Sequence, residues 1–138
     1  MAETTLPVEH LFSLHATVGQ SIVIKDGPQG TRFIAPVTGG TFEGPKLKGT
    51  IAPQPGGDWV TVRADGTMKL DVRIVLQTDD GASILVQYYG TGSREAGVRS
   101  APIFETGDER YAWINNVLAV GIGTPGQGEV RYEVYRVL

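Results

Sequence analysis

The 138-residue chain contains no cysteine, which excludes disulfides, thiolate metal ligands and thiol nucleophiles together. It has no basic excess either. Lys and Arg number 12 against 15 Asp and Glu, and the net charge is −3. With the cations unclustered, the chain carries no nucleic-acid footprint, and none is expected as a partner. No apolar run approaches the roughly 20 residues that span a bilayer. The opening MAETTLPVEHLF lacks a basic stretch followed by an apolar core, so a cytoplasmic protein without a leader and without a membrane is expected. No serine stands in a GxSxG setting and no HExxH occurs. His10 and His15 are five apart, cannot share a strand face, and so make no local metal pair. No metal and no cofactor are expected.

What the chain does have is 19 glycines and 8 prolines, spread through a sequence that is not low-complexity. They read as corners between many short strands. Pro7 to Thr17 alternates, with Val8, His10, Phe12, Leu14 and Ala16 on one face and Glu9, Ser13, His15 and Thr17 on the other. SIVIK and TRFIAP flank Asp26-Gly27 and Gly30, a hairpin turn. Gly39-Gly40 marks a bulge or a close backbone approach. KLKGTIA, DWVTVR, TMKLDVRIVLQT, ASILVQYYG and VRSAPIFET follow as extended segments. Asp79-Asp80-Gly81 is a turn and lacks the twelve-residue calcium pattern. TGSREAG, residues 91–97, is a polar loop suited to a mobile rim. YAWINNVLAVGIG carries a competing helical period over AWINNVLA, but is read as strand because it leads into glycine-rich turn chemistry. Gly121 to Gly126 matches GxGxxG literally, yet Pro125 and a strand follow where the motif needs a helix. EVRYEVYRV closes the chain as a last alternating strand.

About ten short strands with little or no helix predict an all-β fold, a single antiparallel barrel over residues 1–138 with residues 1–6 as a tail. Closure removes the edges that so many uncovered strands would otherwise expose. The segment Thr38 to Thr78 attracts attention because charges interrupt its strands. Asp71 and Arg73 leave one face of their strand, opposite the row Leu70, Val72, Ile74 and Leu76. If that apolar row packs outward, the pair enters the lumen, where a carboxylate beside a guanidinium could orient a carbonyl and move a proton. The alternatives are a structural ion pair or a solvent-facing pair. Trp59, Tyr88, Tyr89, Tyr111 and Trp113 are candidates to line a cavity, or simply to fill a core. On a strand, Tyr111, Trp113 and Asn115 would share a face and offer three donors to a substrate oxygen.

GGTFEGPKLKGTI, GGDWVTVRADGTMKLDVRIVLQTDDGASILVQYYG and FETGDERYAWINN together resemble the DUF3237 (UPF0311) family, over about Leu11 to Val137. The resemblance implies a small closed barrel of lipocalin-like appearance, assembled as a homo-oligomer, in a family mostly without assigned function. Besides glycines, its recurring positions fall on Glu43, Asp58, Trp59, Asp65, Asp71, Arg73, Asp79, Asp80, Phe104, Glu105, Tyr111, Trp113 and Asn115. Ile74, the Tyr88-Tyr89 pair and the TGSREAG loop depart from it.

These readings leave three functions open. The first is a cofactor-free isomerase, lyase or cyclase that moves a proton on a small oxygenated molecule, aromatic ones included, in the lumen. In it Asp71 or Glu43 is the acid or base, Arg73 the anchor, and Trp59, Tyr89, Tyr111, Trp113 and Asn115 hold the ligand. The second is a ligand-binding barrel without catalysis, and the third a structural oligomer.

Overall fold

A computed structural model describes residues 4–138. Eleven strands form one antiparallel sheet: β1 (Val8–Val18), β2 (Ile22–Gly27), β3 (Gly30–Glu43), β4 (Lys48–Ile51), β5 (Gly57–Val62), β6 (Met68–Thr78), β7 (Ser83–Ser93), β8 (Gly97–Ser100), β9 (Ile103–Glu105), β10 (Ala119–Gly126) and β11 (Glu129–Val137). The sheet closes on itself through β6 and β7, which pair along ten residues. Eight strands make the barrel wall in the order β6-β5-β3-β1-β11-β10-β8-β7, and β2, β4 and β9 are additions to it.

The wall follows from period-2 patterning. On β6, Leu70, Val72, Ile74 and Leu76 are all buried, and on β7 so are Ile84 and Val86. The apolar row therefore faces in, and Asp71 and Arg73 leave the barrel on its outer side. Strand β1 departs from strict alternation. A bulge at Leu11, between His10 and Phe12, turns Phe12, Leu14 and Ala16 inward but leaves His10 on the outer face, beside Glu133. The close approach expected at Gly39-Gly40 is present. The β1–β3 register shifts beside Gly39, and a Cβ on Gly40 would collide with the His15 carbonyl.

The expected strand through Tyr111 is a 3₁₀ helix, Glu109–Asn116. Asp108 caps it by accepting from the Arg110 backbone N–H at 2.9 Å, so the chain turns before it can pair with a neighbour. With three residues per turn, Tyr111 and Ile114 share the buried face, and Trp113 and Asn115 point elsewhere. The helix closes one end of the barrel, where Phe12 packs edge-on against Phe42 and Phe104, at 5.7 and 6.0 Å between centroids. Ile114, Leu76 and Ile84 complete that plug. The opposite end, framed by the β5–β6, β7–β8 and β10–β11 turns, is not filled. Part of the expected tail, residues 1–3, lies outside the described residues, and Thr4 to Leu6 are exposed.

Candidate functional site

At the unfilled end the lumen holds a carboxyl group. Asp58 stands opposite Ala35 of β3 and Val72 of β6, and because directly opposed residues share a sheet face, Asp58 enters the barrel as they do. Its Oδ1 is closed off from solvent and has no hydrogen-bond partner among the described residues. The carboxyl is pushed up to about 7, by burial first and by the Asp71 carboxylate second. A carboxyl titrating there can give or take a proton at neutral pH.

Two phenols complete the polar part of the lumen. Tyr88 of β7 is opposite Val72, in the same cross-strand row as Asp58. Its ring meets that of Tyr132 edge-on, with centroids 5.4 Å apart. Burial raises both phenols first. The Tyr132 hydroxyl and the Asp58 charge add to the effect at Tyr88. At Tyr132, Asp58 adds while contacts with Tyr88 and Ser100 oppose. Both hydroxyls stay protonated and serve as donors. Tyr132 has room because β10 presents glycine on its inner face. A Cβ on Gly123 would lie 2.5 Å from Tyr132 Cε1 and 2.6 Å from Val98 Cγ2, and one on Gly121 would run into Ser100 Oγ.

Asp58 and Tyr132 both line a cavity of about 270 Å³, just below the roughly 300 Å³ at which drug-sized ligand sites begin and so suited to a small molecule. Val60, Leu70, Val98 and Val130 form apolar walls, with Ser21, Arg94 and Glu129 at the rim. An apolar pocket with a few polar groups holds an organic molecule of modest size and fixes its orientation.

None of the site residues expected from the sequence lines this cavity. Asp71 and Arg73 are on the outer surface, where Asp71 opposes Tyr89 and Arg73 opposes Gln87. Trp59 and Tyr89 are exposed on that side as well, the Trp59 ring lying against Gly57. At the plugged end, Tyr111 donates to Asp80 at 2.8 Å, and Asn115 accepts from the Thr106 N–H at 2.8 Å and donates back to its carbonyl. Trp113 lies between Lys46 and Arg136, and Glu43 borders a polar surface depression near Asp80 and Tyr111. Tyr111 and Asn115 thus tie the helix to its neighbours and are committed to structural contacts. Among the described residues no three His, Cys, Asp or Glu side chains are grouped to hold a metal ion.

The family model for a protein of unknown function, DUF3237, matches residues 6–137. The chain belongs to the DUF3237 family. A β-barrel-like protein from Acinetobacter baumannii shares 31% identity and superposes with a TM-score of 0.89 over 99% of each chain. A hydroalkoxylation enzyme of Penicillium herquei, phnH, is 34% identical over 130 residues, spanning 93% of this chain and 80% of that protein. The crystal structure of an enzyme from the same fungus superposes with a TM-score of 0.79 at 30% identity, covering 100% of this chain and 98% of that one. This DUF3237 barrel is therefore similar in sequence to a catalyst.

Sequence reasoning named Tyr88 as a candidate cavity-lining aromatic and Asp58 as a recurring family position, but gave Asp58 no role and did not join the two with Tyr132 and Ser100. One signal for Asp58 was readable: on DWVTV the apolar face is Asp58, Val60, Val62, so a carboxylate heads the row that goes inside. The Tyr132 pocket had a signal too, in the glycines at 121 and 123, spaced to clear one face of a strand.

Proposed function

We propose that this chain is a proton-transfer catalyst that adds an O–H group across a C=C bond of a small oxygenated molecule bound in the lumen. The observation that carries the reading is the buried, unpartnered Asp58 carboxyl in the cavity, titrating at about 7. Similarity to a hydroalkoxylation enzyme supports the reaction type.

A carboxyl of this strength cannot protonate an isolated alkene, but it can serve one conjugated to a carbonyl. Asp58 as carboxylate takes the hydroxyl proton, and the oxygen adds to the β-carbon. The π electrons move onto the carbonyl oxygen, where Tyr132 donates a hydrogen bond. Protonated Asp58 then delivers the proton to the α-carbon. One O–H and one π bond are lost, and one C–O and one C–H bond are made. The product is an isomer, no electrons are gained or lost, and the sequence of steps calls on acid–base groups alone.

The test uses 2′-hydroxychalcone, which cyclises to a flavanone, beside 2-allylphenol, whose alkene is isolated. The wild-type chain should accelerate the first, with one enantiomer in excess, and leave the second unchanged. Asp58→Asn should lower the rate by about 10²- to 10⁴-fold, the usual weight of a general acid–base group. If these probes raise the melting temperature of the wild type but none is transformed, the lumen is a carrier site and the catalytic reading falls.

A further inference from the structure

Arg94 stands in the turn between β7 and β8, at the mouth of the cavity. The turn is braced from within, since the Ala96 N–H donates to Ser93 Oγ at 3.0 Å. Gly97, with φ +82°, returns the chain into β8. Among the described residues the Arg94 guanidinium enters no ion pair. Among the described residues the other charged side chain that lines the mouth is Glu129, which pairs with Arg131 and lies near His15. Oε2 lies 3.3 Å from His15 Nε2, and Oε1 lies 3.4 Å from Arg131 Nε. The wall below the rim is apolar until Asp58 is reached. The cavity is thus polarised, with a guanidinium in no ion pair at the entrance and an acid–base group within.

We propose that Arg94 is the specificity determinant of the lumen, and that the ligand is an unsaturated, apolar-bodied molecule carrying an anionic oxygen group, carboxylate or phenolate, at the end that stays near the mouth. The proposal rests on the lumen being the ligand site and adds to it the chemical class and direction of entry. A guanidinium offers paired N–H donors in a plane that matches a carboxylate. Glu129 is paired with Arg131, whereas Arg94 is in no ion pair among the described residues and is left to meet a ligand anion. An anionic group at Arg94 turns the other end of the molecule toward Asp58, which is the orientation proton transfer there requires.

Two probes decide it: 2′-hydroxychalcone carrying a carboxylate on its second ring, and the methyl ester of the same compound. Dissociation constants are measured by calorimetry on wild type, Arg94→Gln and Asp58→Asn. The wild type should bind the carboxylate roughly five- to tenfold tighter than the ester, as expected of a partly shielded charge-assisted contact. Arg94→Gln should bind both like the ester, whereas Asp58→Asn should keep the preference. Because Arg94 lies in an exposed turn, its replacement should leave the melting temperature unchanged. Equal binding of the two probes by wild type, or a preference that survives in Arg94→Gln, overturns the role of Arg94 and leaves the lumen reading standing. Failure of wild type to bind either probe overturns both. A preference lost in Arg94→Gln without any turnover by wild type supports the anchor and removes only the proton transfer.

Discussion

Asp58 and Asp71 lie on adjacent strands with one side chain inside the barrel and the other outside. Asp71 precedes Val72, the residue directly opposite Asp58. The outer carboxylate nevertheless reaches the inner one, raising its pKa second only to burial. Asp71→Asn should therefore lower the Asp58 pKa without returning it to the ordinary value of 3.8, because desolvation remains. A carboxyl ¹³C NMR titration of the two proteins reads the difference directly. An unchanged Asp58 midpoint would show that the two charges are uncoupled.

Stability should follow the same group. The folded state holds the Asp58 proton up to about pH 7, while the unfolded chain releases it near 3.8. Between these values the native state binds more protons, so stability falls as pH rises and levels off above pH 7. A displacement of that size corresponds to at most about 4 kcal/mol. Asp58→Asn removes this penalty. It should be more stable than wild type at pH 8 and near wild type at pH 4, as measured by urea unfolding at both pH values.

Gly123→Ala should destabilise the barrel by about 1–3 kcal/mol, the usual cost of overpacking. The new methyl lands 2.5 Å from Tyr132 Cε1 and 2.6 Å from Val98 Cγ2. Relief by moving Tyr132 would also reshape the wall opposite Asp58, so turnover should drop in the fraction that stays folded. Chemical denaturation and the rate on 2′-hydroxychalcone test the two effects separately.

Ile114→Ala removes a fully buried side chain from the plug and should cost about 2–5 kcal/mol. Because the cavity lies at the other end of the barrel, ligand affinity should survive at temperatures where the protein stays folded. Thermal unfolding with and without ligand measures both.

The barrel was legible because β6 and β11 alternate with few exceptions and the turns carry the glycines they need. Positional detail was less accessible. The Leu11 bulge reverses the side on which His10 emerges, and a two-residue period cannot register one inserted residue. The strand reading of residues 109–116 leaned on the glycine-rich stretch that follows them, but an Asp cap three residues ahead of Tyr111 starts a 3₁₀ turn first. The site was harder still. The charged pair at Asp71 and Arg73 stands out on a strand of otherwise apolar character, yet the same pattern places the apolar row inside and the pair outside. Asp58 drew less notice as one carboxylate at the start of a short strand. Its environment comes from Ala35 and Val72 on the two strands paired with its own, and from Tyr88 and Tyr132 on β7 and β11, which closure of the barrel brings to it.

The most direct test of the account is deuterium incorporation. Wild type and Asp58→Asn would be incubated with 2′-hydroxychalcone in D₂O, and the flavanone analysed by NMR and chiral chromatography. If Asp58 delivers the proton, wild type yields one enantiomer in excess, with deuterium on a single face of the carbon beside the carbonyl. Asp58→Asn yields only the racemic background. Product of the same handedness and labelling from Asp58→Asn, at an undiminished rate, would show that the lumen carboxyl is not the proton-transfer group.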